Sequence, residues 1–256
     1  MKKQAVFITL ICITSLIACT TAPQQKKVPT DEYYFSKAMD FFNTGNYFDA
    51  IPAFEEFKEK FPLSPYAVLA ELRLGDSHYF KEEYVEAIHY FENFRRLHPS
   101  NQHVPCSIFM TGMCHYKQIL TSDRDQTSAK EAVEHFQFLF ELYPTSPYAG
   151  KALCKISEAN KRIAEHELFI GRFYLKKKNY QGAIERFSKI LKNYPHSVDK
   201  DKLLFYLAEA TILSGKKNRG KKILKLILKR YPESEYAVEA KALLALHSSG
   251  KEKISE

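Results

Sequence analysis

Residues 61–67 read FPLSPYA, and closely similar stretches return as YPTSPYA at residues 143–149 and as YPESEYA at residues 231–237. An aromatic or histidine residue followed by proline also occurs at His98-Pro99 and at Tyr194-Pro195. Such a recurrence indicates a repeat protein, because each repeat is one supersecondary unit that can bury its apolar face only against its neighbours.

A fixed pattern precedes each of the five prolines. A small residue lies twelve positions upstream and a bulky apolar residue lies eight positions upstream, namely Ala50, Ala87, Ala132, Ala183 and Gly220, and Phe54, Phe91, Phe136, Phe187 and Leu224. Residues four apart share one face of a helix. A neighbouring helix can therefore approach closely at the small residue, while the bulky residue fills the space beside it. The spacing resembles the tetratricopeptide (TPR) repeat of about 34 residues. That resemblance predicts an all-α fold, a right-handed TPR superhelix of five helix-turn-helix repeats with a C-terminal capping helix.

The predicted solenoid spans residues 32–247 and contains two irregularities. We place the repeats at residues 31–64, 68–101, 105–146, 164–197 and 201–234, the cap at 235–247 and a polar tail at 248–256. A polar loop at residues 121–127 delays the second helix of repeat three. The segment before repeat four has no helix breaker, which predicts one long helix, or two nearly collinear ones, from Tyr148 to about Lys177.

Residues 1–18 have the features of a secretory signal peptide. A positive start at Met1-Lys2-Lys3 precedes an apolar stretch that is too short to span a bilayer. Residues 16–19 read LIAC, which resembles the lipobox of bacterial lipoproteins. The resemblance implies that Cys19 carries N-palmitoyl and S-diacylglycerol groups, and Thr20 after it favours the outer membrane. A plain cleavage site with a chance cysteine is the alternative. Residues 19–31 are then a lipidated tether whose reach is on the order of 20 Å.

Three further cysteines follow Cys19 in the predicted mature chain. Cys106 and Cys114 are eight residues apart on one predicted helix, about 12 Å along its axis, which is too far for a disulfide. A Cys114–Cys154 disulfide and buried free thiols both remain possible.

The repeats, the lipobox and the two irregularities together resemble the BamD family, the lipoproteins of the outer-membrane β-barrel assembly machine. The interrupted third repeat, with Asp123, Arg124 and Asp125, and the extended segment with Arg162-Ile163-Ala164 carry this resemblance. It implies a non-enzymatic scaffold that helps fold and insert β-barrel proteins by binding BamA and unfolded substrate. It further implies a lipid-anchored position on the periplasmic face of the outer membrane, other assembly lipoproteins as partners and no nucleic acid. The alternative is another periplasmic TPR lipoprotein, such as a pilus-assembly pilotin or an envelope-division coordinator.

No pattern in the chain is typical of an enzyme. Cys114 and His115 are adjacent, so on a helix they point about 100° apart. The nine histidines show no metal-ligand spacing such as HExxH, and no glycine-rich phosphate loop or nucleophile elbow occurs. We therefore expect no catalytic site, no metal and no cofactor besides the lipid groups.

The TPR resemblance implies that set positions of each repeat's first helix line the concave groove. In the first three repeats these positions are mainly apolar, which predicts a groove for peptides with large side chains, lined by Phe35, Met39, Phe42, Leu69, Leu72, Tyr79, Phe80, Phe109, Met113 and Tyr116. The BamD resemblance implies that this peptide is an unfolded outer-membrane protein with an aromatic terminus. The alternative is that these residues pack on one another in a tightly wound solenoid.

The C-terminal half is rich in cations. Lys222, Lys225 and Lys229 follow a helical spacing opposite an apolar stripe, which predicts an amphipathic helix with a basic outer face. A solvated face, an acidic partner and anionic headgroups can each explain it. The BamD resemblance implies BamA as the partner, and we select Arg186 for an interfacial ion pair because a guanidinium can hold a carboxylate in bidentate geometry. An ordinary surface arginine is the alternative.

The loop of repeat three carries Asp123, Arg124 and Asp125. Asp125 or Thr127 is well placed to cap a helix that begins near Ser128, and Asp123 can pair with Arg124 or with a neighbouring helix. Locking of the loop and contact with a ligand are both open.

Overall fold

The computed structural model describes residues 29–248, and within those limits all regular secondary structure is helical. Eleven helices follow one another along this part of the chain: α1 (Asp31–Asn43), α2 (Tyr47–Lys60), α3 (Ala67–Phe80), α4 (Tyr84–Leu97), α5 (Val104–Lys117), α6 (Thr127–Leu142), α7 (Ala149–Lys176), α8 (Tyr180–Asn193), α9 (Lys200–Leu213), α10 (Lys217–Arg230) and α11 (Glu235–Ser248). None of these helices is both long and apolar enough to cross a membrane. The predicted signal peptide, Cys19, most of the tether and residues 249–256 lie outside the described residues.

The helices form a solenoid. Each helix packs mainly on the helices before and after it in sequence, and each odd-numbered helix also touches the next odd-numbered one. This arrangement places the odd-numbered helices along one side of the stack and the even-numbered helices along the other. The fold is therefore an all-α TPR solenoid, as predicted, and α11 covers its last helix pair.

Glycines on the first helix of three pairs allow the second helix to approach closely. A Cβ carbon on Gly75 would lie 2.7 Å from the ring of Phe91, and one on Gly112 would lie 2.6 Å from the ring of Phe136. Both phenylalanines are fully buried. Three of the four phenylalanines identified eight positions before a proline, Phe91, Phe136 and Phe187, thus fill the space left by a glycine on the preceding helix.

Helix α7 contains 28 residues and confirms the predicted long helix as a single one. Its first half contributes Ala152 and Ile156 to the core formed with α5 and α6. Its second half contributes Ala164 and Leu168 to the core formed with α8 and α9. The helix therefore links two separate hydrophobic cores of the solenoid.

Four turns within helix pairs contain a residue in the left-handed region of backbone conformation. Gly45 and Gly215 have φ values of 76° and 88°, and glycine adopts them without steric cost. Glu82 and Lys178 have φ values of 63° and 62° in the turns α3–α4 and α7–α8. All four residues lie 17 positions before the closing proline, so the geometry belongs to the repeat and the side chains at positions 82 and 178 do not require it.

Candidate functional site

The ten residues predicted to line an N-terminal groove are mostly packed against neighbouring side chains. Eight are half-buried, Leu72 is buried and Phe80 is exposed. Phe35 stacks on Tyr66 with ring centroids 4.8 Å apart, and Phe109 contacts the rings of Phe136 and Tyr148. The packing alternative thus describes most of this surface.

Leu72 must be removed from the groove. Its side chain is 2% exposed and lies in the core shared by α4, α5 and α6, where no peptide can reach it. Phe80, in contrast, is 50% exposed at the end of α3 and stacks on Tyr47 with centroids 5.0 Å apart. The accessible aromatic surface in the first two repeats therefore lies near the helix ends.

A charged pair on α3 interrupts the apolar surface. Asp76 is buried, and its Oδ2 accepts a hydrogen bond of 2.5 Å from Nη1 of Arg73. Burial raises the pKa of the Asp76 carboxyl despite the opposing effect of Arg73. Nε of Arg73 is buried without a hydrogen-bond partner, while its guanidinium lies 5.4 Å from the ring of Phe42. Sequence reasoning missed this pair, although Asp76 occupies the ninth position of its predicted repeat, which faces the groove.

The loop of repeat three is held by its own hydrogen bonds. Oδ1 of Asp125 accepts from the backbone N–H of Thr127 at 2.8 Å, at the start of α6. The buried amide of Gln126 donates to the carbonyls of Thr121 and Arg124 at 2.9 and 3.1 Å. Gln126 therefore ties the backbone of the loop together, and its role was not predicted.

The same loop also contacts the long helix. Nδ1 of His166 lies 2.8 Å from the carbonyl oxygen of Ser122, so this nitrogen carries the proton and donates it. Asp123 makes no ion pair with Arg124 or with a neighbouring helix among the described residues, and its pKa is lowered mainly by a hydrogen bond from Thr121. These contacts favour the locking interpretation of the loop.

Arg186 forms an ion pair within the chain rather than standing free for a partner. Its Nη1 lies 2.8 Å from Oε2 of Glu167, and Nζ of Lys189 lies 2.6 Å from Oε1 of the same carboxylate. The Glu167 side chain is only 5% exposed, whereas both cations are partly exposed. Burial raises the pKa of Glu167, but hydrogen bonds from Lys189 and Arg186 outweigh it and the pKa lies below its ordinary value. Three side chains with a net charge of +1 thus occupy the site where a lone arginine was predicted.

Helix α10 presents the predicted basic face. Lys222, Lys225 and Lys229 are exposed, while Leu224 and Ile227 are fully buried on the opposite side. The helix has no acidic residue, and none of its cations makes an ion pair with another described residue. Lys221 differs from the others because its Nζ donates to the carbonyl of His247 at the end of α11.

The three described cysteines are free thiols. Cys114 is buried, Cys106 is partly buried and Cys154 is exposed. Burial raises the pKa of Cys114 to about 12, so its thiol is inert as long as the helix pair is closed. The structure thus decides against the Cys114–Cys154 disulfide.

Comparison with known protein families shows to which group of repeat proteins this solenoid belongs. The family described as YfiO, outer membrane lipoprotein, matches residues 27–226, which include α1 to α9 and most of α10. The chain belongs to the YfiO family.

Three relatives of this chain are outer membrane protein assembly factors BamD. The protein of Rickettsia prowazekii is 30% identical over 187 residues, covering 72% of this chain and 74% of its own. That of Caulobacter vibrioides is 29% identical over 213 residues, covering 83% and 70%. That of Neisseria meningitidis serogroup A is 25% identical over 256 residues, covering 94% and 95%.

Among solved structures, the chain is similar to the TPR2AB domain of yeast Sti1. The TM-score is 0.44 with 14% identity, over 86% of this chain and 84% of that one. That score is too low to add to the fold assignment, which rests on the helix packing and the family match.

Within residues 29–248 no three His, Cys, Asp or Glu side chains are grouped so that they could hold a metal ion. The charged groups that do cluster include Glu167 with Arg186 and Lys189, which joins α7 to α8, and Asp76 with Arg73 within α3. The first of these clusters holds two helices together and presents cations at a surface.

Proposed function

We propose that this chain is an outer membrane protein assembly factor, a non-enzymatic scaffold that helps fold and insert β-barrel proteins into the outer membrane. The observation that carries the proposal is the YfiO match over residues 27–226, together with BamD relatives that align over 70% to 95% of their own lengths. A solenoid suits a scaffold because it presents a large surface without a closed cavity.

The C-terminal half is the proposed docking surface for a barrel protein of the BamA type. Lys222, Lys225 and Lys229 form an unpaired basic face. Arg186 belongs to the ion-paired group of Glu167, Arg186 and Lys189, whose net charge is +1. Charge of one sign on a surface steers an acidic partner and sets its register. Arg186 therefore contacts such a partner while it remains bonded to Glu167.

The N-terminal half is the proposed contact for unfolded substrate. The described surface offers Phe80 and the half-buried rings of Phe42 and Tyr79 beside the Arg73–Asp76 pair. Aromatic and apolar side chains of an extended peptide can pack on these rings, and the charged pair limits which residues lie beside them. Other assembly lipoproteins are further expected partners.

The position at the membrane is proposed from the sequence. Cys19, with its covalent lipid groups, would hold the solenoid to the periplasmic face of the outer membrane. Two or more acyl chains are needed for stable anchoring, and the lipoprotein modification supplies them.

Affinity purification of the tagged, lipidated chain tests the docking surface. Charge reversal at Lys222, Lys225 and Lys229 should reduce the amount of co-purified barrel-assembly protein severalfold, and Arg186→Glu should reduce it further. A matched control reverses Lys37, Lys130 and Lys161, which lie on other helices. Equal loss in both triple variants would show a general charge effect and remove α10 from the interface.

Photocrosslinkers test the substrate surface. Probes at Phe42, Tyr79 and Phe80 should capture unfolded outer-membrane proteins, whereas a probe at the outward residue Lys58 should not. Capture by Lys58 alone would reverse the assignment of the two faces.

A further inference from the structure

Two neighbouring turns form a basic edge on the C-terminal part of the solenoid. The turns α7–α8 and α9–α10, together with the adjoining helix ends, contribute six exposed cations: Lys176, Lys177, Lys178, Lys216, Lys217 and Arg219. Nζ of Lys216 lies 3.5 Å from Oε1 of Gln181, which brings the two turns together. None of the six makes an ion pair among the described residues, and neither turn contains a carboxylate. Two of the six, Lys217 and Arg219, lie in the first turn of α10, ahead of the outer face formed by Lys222, Lys225 and Lys229.

A cavity of about 350 Å³ lies beside the turn α7–α8, between the end of α7, the start of α8 and α9. Cations, tyrosine hydroxyl groups and apolar side chains all line it. The lining residues are Arg172, Leu175, Lys176, Lys178, Tyr180, Tyr206, Glu209 and Leu213. Lysine, arginine and tyrosine side chains are donors suited to phosphate oxygens. Glu209 is the acidic member, and the guanidinium of Arg172 lies 5.1 Å from the ring of Tyr206 rather than pairing with it.

Large apolar side chains stand exposed beside these cations. Phe173 is 48% exposed, Phe169 and Leu213 are exposed to a similar degree, and Nζ of Lys177 lies 5.7 Å from the ring of Phe173. An exposed phenylalanine beneath a lysine is the arrangement of a membrane-surface contact, in which the ring enters the acyl boundary and the ammonium stays among headgroups.

Lys178 belongs both to the turn α7–α8 and to the cavity. Its φ of 62° is a property of the repeat, since Gly45, Glu82 and Gly215 have positive φ at the corresponding position. Its exposed ammonium group lines the cavity and adds positive charge there.

We propose that this basic edge binds the headgroups of anionic phospholipids, with the phosphate in the cavity and Phe169 and Phe173 at the acyl boundary. The edge would hold the C-terminal part of the solenoid against the bilayer at a second point, apart from the lipid anchor. Anionic headgroups fit better than an acidic protein surface because the cations stand beside exposed aromatic rings and two of them, together with Arg172, line the cavity. The inference does not depend on the proposed barrel-protein interface.

The absence of tryptophan from the chain allows a direct test. Phe173→Trp in the lipidated chain, reconstituted in vesicles, gives a single reporter whose fluorescence brominated lipids quench. Brominated phosphatidylglycerol in a phosphatidylcholine bilayer should quench it strongly, and brominated phosphatidylcholine without anionic lipid should quench it weakly. Leu63→Trp, on the opposite edge of the solenoid, should not be quenched. Equal quenching by both lipids, or none by either, would overturn the proposal.

Two triple variants in the Phe173→Trp background identify the cations. Lys176→Gln, Lys177→Gln and Lys178→Gly should abolish most of the quenching, whereas Lys222→Gln, Lys225→Gln and Lys229→Gln should retain it with the same loss of charge. Lys178→Gly also relieves the turn, so thermal unfolding should show an intact fold. Equal loss in both triples would contradict the assignment. A fluorescence change caused by inorganic phosphate alone, or only by an added barrel-assembly protein, would assign the edge to that ligand instead.

Discussion

Gly171 of α7 and Phe187 of α8 pack so closely that a Cβ carbon on Gly171 would lie 2.4 Å from Cε1 of the Phe187 ring. Phe187 is fully buried and the ring cannot move away without displacing its core neighbours, which include Ala183 and Ile190. This contact sets how near the two helices of the fourth repeat can come. It therefore also sets the relative positions of Glu167 on α7 and Arg186 on α8, and of the turn between these helices.

Gly171→Ala should therefore destabilise the solenoid by about 1–3 kcal/mol, because overpacking forces a well-packed core to shift. The control is Gly150→Ala on the same helix, where an added Cβ meets nothing within 4 Å. That variant should be as stable as the wild type or slightly more so, since alanine is the better helix former. Urea unfolding followed by circular dichroism measures both, and equal midpoints would contradict the packing argument.

The repeats could be predicted from the sequence because the pattern of small residue, aromatic residue and proline is local and repeats in register. The long helix followed from the lack of a breaker between Tyr148 and Lys177. The partners of individual charges could not be predicted in this way. Glu167 and Arg186 are 19 residues apart on different helices, and no spacing rule brings their side chains together.

Glu167→Gln should lower stability at neutral pH by about 1.5–3 kcal/mol, the usual scale for a hydrogen bond to a charged group. The folded pKa of Glu167 is below its ordinary value of 4.5, so its stabilisation is fully present above that value and is lost as the pH falls through the folded pKa. Thermal unfolding at a series of pH values should show the difference between wild type and variant shrinking below pH 4.5. A constant difference would mean that the effect is one of packing rather than of charge.

Glu209→Gln should raise stability at neutral pH, whereas Glu167→Gln should lower it. Burial, and then the nearby Glu239, raise the pKa of Glu209, so the ionised carboxylate costs stability above its folded pKa. The variant should unfold at a higher temperature than the wild type at neutral pH, and the gain should vanish below about pH 4.5. Removing this charge from the cavity should also strengthen the binding of anionic vesicles. A lower unfolding temperature at neutral pH would show that Glu209 has a stabilising partner.

The thiols should react in the order of their exposure. Cys154 should be labelled at once by a maleimide in the native protein, and Cys114 only when the protein unfolds, since burial raises its pKa to about 12. Mass spectrometry of labelled peptides measures both rates. Recovery of a Cys114–Cys154 peptide pair from the native, oxidised protein would contradict the free-thiol state.

The candidate surfaces were predicted less well than the fold because burial depends on the neighbours across the stack. Leu72 and Phe80 both fit the rule for groove positions, yet the first is core and the second is exposed at a helix end. The basic edge went unnoticed for a similar reason, because its two clusters are about 40 residues apart in sequence and only the stacking of repeats joins them.

Depletion of this chain in the bacterium that produces it tests the central claim most directly. The amount of folded β-barrel protein in the outer membrane, measured by heat-modifiable gel mobility, should fall as the chain is depleted and return when the wild-type chain is supplied. Unchanged levels of folded barrels after complete depletion would contradict the assembly function.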